Sequence, residues 1–364
     1  MQNKYQYKKL GDICDKASSN VAQNKIEGLD GDFPIFGASG YIQNVNFYHQ
    51  DKTYIGVVKD GSGVGRVNIY PAQSSLLGTM QYVIPKEGYN IGFVAYVLKS
   101  LKLSSFATGA AIPHIYFKDY GQCMIPVPPL EEQERIVAEL DLLTGVIEKQ
   151  KAQLKELDNL AQSIFYDMFG DPVKNEKGWK LKKIGDVLKT TSGGTPSKNH
   201  AEYYDGGTIP WINSGELHQM YISDVKKYIT RAGVENSSAK IFPVNSVLVA
   251  MYGATVGEVS ILQIESTTNQ AVCCIFPSPL YTPIFLYSVI KNSKNYFIEI
   301  SAGGAQPNIS QGVIKNFRLI TPSIDIQQQF AEKIEAIEHQ KTLIKKSIEE
   351  TQKLFDYTMD KYFG

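Results

Sequence analysis

The chain has 364 residues with 37 basic and 37 acidic side chains, and this zero net charge argues, by itself, against a nucleic-acid partner. Hydrophobic residues make up 43% and charged residues 20%, which excludes a disordered chain and predicts two or three folded domains. No apolar run approaches the ~18 residues of a membrane span, and no signal peptide opens the chain, so we expect a cytoplasmic protein.

Charge is distributed unevenly along the chain. Residues 1–127 carry a net charge of +3 and residues 171–321 carry +4, whereas residues 128–170 carry −5 and residues 322–364 carry −2. The basic segments have mixed composition and the acidic segments have helical periodicity. A polyanion would therefore meet the basic segments, although chance segregation with solvated helix faces explains the pattern equally well.

The sequence is an internal repeat with an insertion in its second copy. Matching segments keep their order, and their offset grows from 174 to 194 residues along the chain. The clearest pairs are KKLGDI (8–13) with KKIGDV (182–187), GSGVGRV (61–67) with GATVGEV (253–259), TGAAIPHI (108–115) with GGAQPNI (303–309), and VPPLEEQ (127–133) with TPSIDIQ (321–327). The chain therefore consists of two similar units.

Each unit begins with short β-rich runs that are divided by Gly, Asn and Pro turns. The predicted strands are residues 53–58, 81–85, 246–252 and 271–276, and the predicted shorter helices are residues 91–101 and 283–293. This mixture predicts an α+β domain in each unit.

Each unit ends in a long helix with apolar residues three or four positions apart. The predicted seam residues are Ile136, Leu140, Leu143, Ile147, Leu154, Leu157 and Ile164 in the first helix and Phe330, Ile334, Ile337, Ile344, Ile348 and Phe355 in the second. Gln150 interrupts the first seam. This heptad spacing predicts a coiled coil, and forty residues make a helix of about 60 Å.

A single heptad helix would favour homodimerisation, but this chain carries two such helices and can bury both seams by packing them against each other. If a twofold axis relates the units, the helices run antiparallel. We therefore predict an α+β fold with two similar domains, two long antiparallel helices forming a coiled coil, and a pseudo-twofold internal repeat. The predicted bounds are a first domain (1–127), a first helix (128–170), a linker (171–178), a second domain (179–321) and a second helix (322–364).

Motifs for catalysis are missing from the sequence. It contains no P-loop, no GxGxxG that opens a helix after a strand, no HExxH, and no Asn/Asp-Pro-Pro-aromatic tetrapeptide of the kind that positions an amino group for methylation. Cys14, Cys123, Cys273 and Cys274 form no CxxC pair, so we expect reduced thiols and no metal site.

Polar and glycine-rich loops recur at matching places and are candidates for contact with DNA, because glycines allow close approach of the backbone and the side chains supply hydrogen-bond donors. The candidates are Ser39, Tyr41, Lys59, Ser62, Arg66 and His114 in the first unit, and Ser192, Thr195, Lys198, Trp211, Ser214, Tyr252, Thr255, Gln306 and Asn308 in the second. The structural alternatives are ordinary glycine-rich turns for the loops, an ordinary turn histidine for His114, and core packing for the aromatic residues.

Four segments resemble the specificity subunit of type I restriction–modification systems. They are IPVPPLEEQERIV (125–137), LITPSIDIQQQFAEKI (319–334), PIFGASGYI (34–42) and IPWINSGEL (209–217). The resemblance implies that each domain is a target-recognition domain for one half of a split DNA sequence, and that the paired helices set the gap between the halves.

The resemblance also implies that the chain is non-catalytic and binds no cofactor. Two modification subunits would carry S-adenosylmethionine and methylate adenine, and restriction subunits driven by ATP with Mg²⁺ would complete the assembly on double-stranded DNA. The alternatives are an enzyme with its own recognition domains, the specificity subunit of a type IIB/IIG-like system, and a two-headed adaptor protein that does not bind DNA.

Overall fold

The computed structural model describes residues 5–109, 112–301 and 308–364. The chain divides into two compact units, which we call unit 1 (Met1–Ala152 with Lys345–Gly364) and unit 2 (Gln153–Ile344). The unit boundaries fall within the two long helices, so each unit contains one mixed α/β part and a portion of each helix. The predicted division of the chain into five segments stays a proposal.

Unit 1 contains a four-stranded antiparallel sheet with strand order β2-β8-β5-β6, a three-stranded sheet with order β4-β3-β7, and the antiparallel pair β1-β9. The strands are β1 (Gln6–Lys9), β2 (Cys14–Ser18), β3 (Phe33–Gly37), β4 (Gly40–Val45), β5 (Tyr54–Val58), β6 (Val67–Tyr70), β7 (Ser75–Leu76), β8 (Met80–Pro85) and β9 (Met124–Val127). The helices are α1 (Leu10–Ile13), α2 (Ile91–Ser100), α3 (Phe117–Tyr120) and α4 (Leu130–Phe169), of which α4 continues into unit 2.

Unit 2 repeats this topology with one added strand. Its sheets have the orders β11-β18-β15-β16-β13, β14-β12-β17 and β10-β19. The strands are β10 (Leu181–Lys183), β11 (Thr190–Ser192), β12 (Ile209–Ile212), β13 (Tyr221–Ile222), β14 (Tyr228–Ile229), β15 (Val247–Ala250), β16 (Val259–Leu262), β17 (Thr267–Thr268), β18 (Val272–Ile275) and β19 (Arg318–Ile320). The helices are α5 (Ile184–Val187), α6 (Arg231–Glu235), α7 (Pro283–Asn292), α8 (Lys294–Ser301), α9 (Gln311–Asn316) and α10 (Ile324–Phe363), which continues into unit 1.

One inner strand of each larger sheet, β5 in unit 1 and β15 in unit 2, is buried along its whole length. In β5, Ile55 and Val57 pack in one core with α2, whereas Tyr54 and Val58 pack in a second core with residues of β7 and β8. A strand that is covered on both faces needs a continuous apolar run, because successive side chains point to opposite sides. This explains why the predicted strands at 53–58 and 246–252 do not alternate between apolar and polar residues.

The two long helices are antiparallel and pack against each other within the chain, as predicted. In unit 1, Ile136 and Leu140 from the start of α4 share a core with Tyr362 from the end of α10. In unit 2 the ends are reversed, and the ring centroids of Phe165 and Phe330 lie 5.7 Å apart. Each helix seam is therefore buried inside its own chain, and homodimerisation is not needed to cover it.

Every predicted seam residue is buried or half-buried. Polar side chains enter the seam at two places. Gln150 donates from Nε2 to Ser347 Oγ at 2.7 Å, and Lys341 donates from Nζ to Asp158 at 2.7 Å and to Glu338 at 2.6 Å. Polar contacts at seam positions specify the register of paired helices, because any shift leaves buried polar atoms without partners.

A buried glutamine near the start of each long helix, Gln133 in α4 and Gln327 in α10, links that helix to neighbouring segments through hydrogen bonds. In unit 2, Gln327 accepts a hydrogen bond from the Thr282 backbone N–H at 3.0 Å. Its Nε2 donates to the Leu280 and Pro322 carbonyls, both at 3.1 Å. Gln133 makes the matching bonds in unit 1, to the Asn90 N–H and the Pro128 carbonyl, each at 2.9 Å. The Gln side chain thus ties the start of each long helix to the start of the helix packed on the sheet.

We expect Gln327→Leu to destabilise unit 2 by about 2–4 kcal/mol, because one buried N–H and two carbonyls lose their partner. The midpoint of urea unfolding, followed by circular dichroism, measures the loss. The control is Gln329→Leu, an exposed position one half-turn further on, which should change stability by less than about 0.5 kcal/mol. Equal midpoints for the two variants would contradict the role of Gln327 as a brace.

Candidate nucleic-acid interface

Loops from separate parts of unit 1 meet at one end of its sheets. The backbone N–H groups of Lys59 and Asp60 both donate to the Thr79 carbonyl, at 3.0 and 3.3 Å. Gly61 N–H donates to the Pro113 carbonyl at 3.0 Å, and the Lys59 carbonyl accepts from the N–H of residue 115 at 3.0 Å. We call the resulting surface face 1 (residues 37–41, 58–66, 77–79 and 112–116).

Unit 2 builds an equivalent surface from the repeat-related segments. Met251 N–H donates to the Ala271 carbonyl at 2.8 Å, and Ile309 N–H donates to the Met251 carbonyl at 2.9 Å. The residues that form these bonds lie 192 to 194 positions after the residues that form the equivalent bonds in unit 1. Gly194 N–H donates to the Thr268 carbonyl at 2.8 Å, which adds a further loop. We call this surface face 2 (residues 192–198, 213–216, 251–255, 268–271 and 308–309).

The hairpin between β3 and β4 presents two of the predicted residues of unit 1. Ser39 lies in the turn and is exposed. Tyr41 is exposed, and its hydroxyl donates to Asn44 Oδ1 at 3.2 Å. Ser39 also lines a shallow depression together with Gly78 and Thr79, so the hairpin turn adjoins the loop ends described above.

The glycine-rich loop of unit 1 presents the other predicted residues. Lys59 is half-buried, whereas Ser62 and Arg66 are exposed, and Arg66 Nε donates to the Gly63 carbonyl at 3.3 Å. His114 is hydrogen-bonded through Nδ1 to the carboxylate of Asp60. The loop therefore carries cationic side chains, and the imidazole of His114 is already oriented by an internal acidic partner.

Face 2 is richer in hydroxyl and amide groups. Ser192 and Thr195 are half-buried and Lys198 is exposed, and the Thr195 hydroxyl donates to Gln270 Oε1. Ser214 is half-buried in a turn that begins after Asn213. Such groups can both donate and accept hydrogen bonds, which suits contacts with base edges.

The second glycine-rich loop brings three predicted residues together. Tyr252 is exposed and forms a β-bridge with Asn308, which is also exposed. Thr255 is half-buried and donates from Oγ1 to the Tyr252 carbonyl at 2.9 Å. Gln306 lies outside the residues that the structure describes.

Trp211, one of the predicted candidates, has the position that the alternative of core packing describes. Its side chain is only 6% exposed and packs with Ile229 and Ala239. The indole Nε1 donates to the Gly194 carbonyl at 3.0 Å. The ring of Trp211 is therefore part of a core, and its one donor holds the loop that carries Thr195.

Sequence reasoning missed several residues of the two faces. Asp60 and Tyr116 flank His114, and the Tyr116 ring centroid lies 4.1 Å from that of His114. Asn269 and Gln270 occupy the turn between β17 and β18. None of these residues belongs to a motif, and the only available signal was their position beside repeat-related loops.

The titratable side chains of the described residues can be compared with the needs of a metal site. No group of three or more His, Cys, Asp or Glu side chains is arranged to hold a metal ion among the residues described. Burial raises the pKa of the Cys14, Cys273 and Cys274 thiols to about 12, so these thiols stay protonated near neutral pH. No helix in the described ranges has the length and apolar character that crossing a membrane requires.

Known proteins with similar sequences are specificity subunits. The sequence profile of the type I restriction modification DNA specificity domain matches residues 2–159 and 176–353. The chain is 26% identical over 286 residues to the EcoR124I/EcoR124II specificity subunit of Escherichia coli, covering 75% of this chain and 70% of that one. It is 24% identical over 270 residues to the MjaIX specificity subunit of Methanocaldococcus jannaschii, covering 68% of this chain and 62% of that one.

The fold is also similar to that of solved structures. The type I restriction–modification S subunit from M. genitalium superposes with a TM-score of 0.63 at 14% identity, over 100% of this chain and 97% of that one. A chain from a type I system studied for complex assembly and conformational transition gives a TM-score of 0.59 at 17% identity, over 98% and 97%. Both likenesses concern the fold.

The family profile covers both copies of the repeat, and the family is non-catalytic, in agreement with the prediction that the chain is not an enzyme. The alternatives of an enzyme and of an adaptor protein that does not bind DNA are thereby set aside. The chain belongs to the family of specificity subunits of type I restriction–modification systems, whose function is the recognition of a DNA target.

Proposed function

We propose that face 1 and face 2 each bind one half of a bipartite DNA target, and that α4 and α10 set the gap between the two halves. The observation that carries this proposal is the repetition of one surface in two units. The same hydrogen bonds gather repeat-related loops at the same end of equivalent sheets, while α4 and α10 each pass from one unit into the other.

The side chains of the two faces suit this role. Lys59 and Arg66 on face 1 and Lys198 on face 2 supply cations for phosphate oxygens. Lys240 lies beside face 2, where its Nζ donates to Thr191 Oγ1 at 2.8 Å. Hydroxyl and amide side chains then supply the donors and acceptors that distinguish base pairs in the major groove.

The chemistry belongs to partner subunits in this proposal. Two modification subunits would bind S-adenosylmethionine, extrude the target adenine and methylate it. Restriction subunits would use ATP and Mg²⁺. The near-zero net charge of this chain fits such an assembly, because the partners would supply much of the contact with the DNA backbone.

An exposed apolar surface on the long helices in unit 1 is the proposed docking site for a modification subunit. Leu142 and Val146 on α4 are 68% and 36% exposed, and Leu354 and Tyr357 on α10 are 52% and 68% exposed. With the seam residues at heptad positions a and d, these four residues occupy positions c and g, which fall on one side of an antiparallel pair. We call them the helix face. The α2 helix packs on the other side, where Tyr96 donates to Asp141 at 2.6 Å.

The double substitution Leu142→Lys with Tyr357→Lys should weaken binding of the modification subunit at least tenfold, since each side chain is a large apolar anchor. Isothermal titration calorimetry of the purified chain with that subunit measures the affinity. Ala138→Lys, an exposed position on α4 outside the helix face, is the matched control. Unchanged affinity in the double variant would place the docking site elsewhere.

Mapping of methylated adenines tests the proposed function directly. The chain and its modification subunit are expressed in a host that lacks adenine methylation, and the genome is sequenced with detection of N6-methyladenine. We expect one motif with two specific halves and a gap of constant length. A single continuous motif, or methylation that does not depend on this chain, would contradict the proposal.

A further inference from the structure

The turn before β8 in unit 1 differs from the repeat-related turn before β18 in unit 2. In unit 1 the turn between β7 and β8 contains Gly78, whose N–H donates to the Val21 carbonyl at 2.8 Å. A Cβ atom at Gly78 would lie 3.4 Å from the carbonyl oxygens of Ser19 and Val21. At the repeat-related position, 192 residues later, unit 2 has Gln270, and its side chain is exposed. Face 2 therefore carries a side chain where face 1 has only backbone.

The amide of Gln270 is held in one orientation. The Thr195 hydroxyl donates to Gln270 Oε1, and the loop that carries Thr195 is itself anchored because Gly193 N–H donates to the Val272 carbonyl at 3.2 Å. One lone pair of Oε1 remains available. Among the residues that the structure describes, Nε2 has no acceptor, so both of its hydrogens are free.

The neighbouring amides are engaged within the protein. Asn269 Nδ2 donates to Asn213 Oδ1 at 3.4 Å, and Asn269 Oδ1 accepts from the Ala271 N–H at 3.2 Å. Asn213 Nδ2 in turn donates to Glu216 Oε1 at 3.4 Å. Gln270 is therefore the side chain in this part of face 2 that presents both an oriented acceptor and an oriented donor to the outside.

We propose that Gln270 determines specificity for one A·T base pair in the half-site bound by face 2. A glutamine amide pairs with adenine in the major groove, where Oε1 accepts from the N6 amino group and Nε2 donates to N7. Thr195 is a positioning residue that acts through Gln270. This inference rests on the proposed function, because it requires that face 2 contacts DNA.

The test compares methylation motifs of variants expressed with the modification subunit. Gln270→Ala should relax one A·T position in one half-site, so that the preference for A·T over other pairs falls by about tenfold or more. Gln270→Glu should move the preference at that position toward C·G, since a carboxylate accepts from the N4 amino group of cytosine. Thr195→Val should relax the same position to a smaller extent.

Two controls isolate the effect. Gln263→Ala changes an exposed glutamine that follows β16, at the end of that strand remote from the 251–255 loop, and should leave the motif intact. The half-site bound by face 1 should remain unchanged in every variant and serves as the internal standard.

An unaltered motif in both Gln270 variants would overturn the inference, as would relaxation of both half-sites together. Loss of all methylation in both variants, with unchanged circular dichroism, would also overturn it, because Gln270 would then support assembly and not the choice of a base. Failure of the proposed function looks different, since the wild-type chain itself would then direct no bipartite motif.

Discussion

Exchanging residues 1–127 for the corresponding segment of another family member will change one half of the methylated target and leave the other half intact. All segments of face 1 lie within these residues, whereas face 2 is built entirely from residues 192–309. Specificity carried by base contacts should follow the loops that make them. Genome-wide mapping of N6-methyladenine gives both half-sites and the gap in one experiment.

The contacts at the junction define which donor segment is suitable. Residue 127 ends β9, three positions before α4 begins at Leu130, but α4 contributes Ile136 and Leu140 to the core of unit 1. The donor should therefore keep Tyr96, whose hydroxyl donates to Asp141, and should have no proline at position 90, because the backbone N–H of that residue donates to Gln133. Such a choice separates a change of specificity from a loss of folding.

The reciprocal exchange of residues 179–321 is the matched control and should alter only the other half-site. A chimera that folds and methylates the original target would show that residues 1–127 do not select bases. A chimera that changes both half-sites would show that the two units do not act independently.

Removing one heptad from each long helix will shorten the gap between the half-sites and preserve their sequences. The segments to delete are residues 147–153 and 344–350, which include the bonded pair Gln150 and Ser347. Seven residues correspond to about 10.5 Å of helix, or about three base pairs at 3.4 Å each. We therefore expect the preferred gap to fall by about three base pairs.

The methylation rate should fall together with the gap. Three base pairs rotate the duplex by about 100°, because one turn contains about 10.5 base pairs. Removal of one heptad rotates one end of the paired helices relative to the other by only about 20°. The rotation between face 1 and face 2 therefore no longer equals the rotation between the two half-sites of the shortened target. Rates on a set of DNA targets with gaps of different lengths measure both effects.

Replacing the same two segments by other heptads of equal length is the control, and it should keep the original gap. Deletion from one helix alone should instead destabilise the protein, because the two seams would no longer be in register. An unchanged gap after the paired deletion would mean that the helices do not determine the separation of the half-sites.

The heptad spacing and the internal repeat of the sequence predicted the helical part of the structure well. The predicted seam residues of both long helices are buried or half-buried, and the predicted helices at 91–101 and 283–293 correspond to α2 and α7. Such features are readable because an apolar side chain every three or four residues has one low-energy arrangement, a shared buried seam. The repeat then fixed the pairing within the chain and predicted the antiparallel direction.

Single residues of the two faces were less predictable. For Trp211 the sequence left contact with DNA and core packing both open, and in the structure its indole is buried and donates to the Gly194 carbonyl. Gln270 belongs to no motif. Its hydrogen bond with Thr195 joins residues that are 75 positions apart in the chain, which the sequence does not reveal. Gln133 and Gln327 lie in segments that carry the family resemblance, and the structure shows that both side chains are buried and hydrogen-bonded within the fold.

The amino-acid sequence by itself determined the duplication, the α+β character of each unit and the pairing of two long helices, because these depend on hydrophobic periodicity and local turn chemistry. Only the tertiary structure decided which polar residues share a face, since hydrogen bonds such as those of Thr79 and Ala271 join segments that are distant in the chain. It also decided which candidates are buried, because the exposure of a side chain depends on neighbours that chain folding brings together and that spacing along the sequence does not reveal.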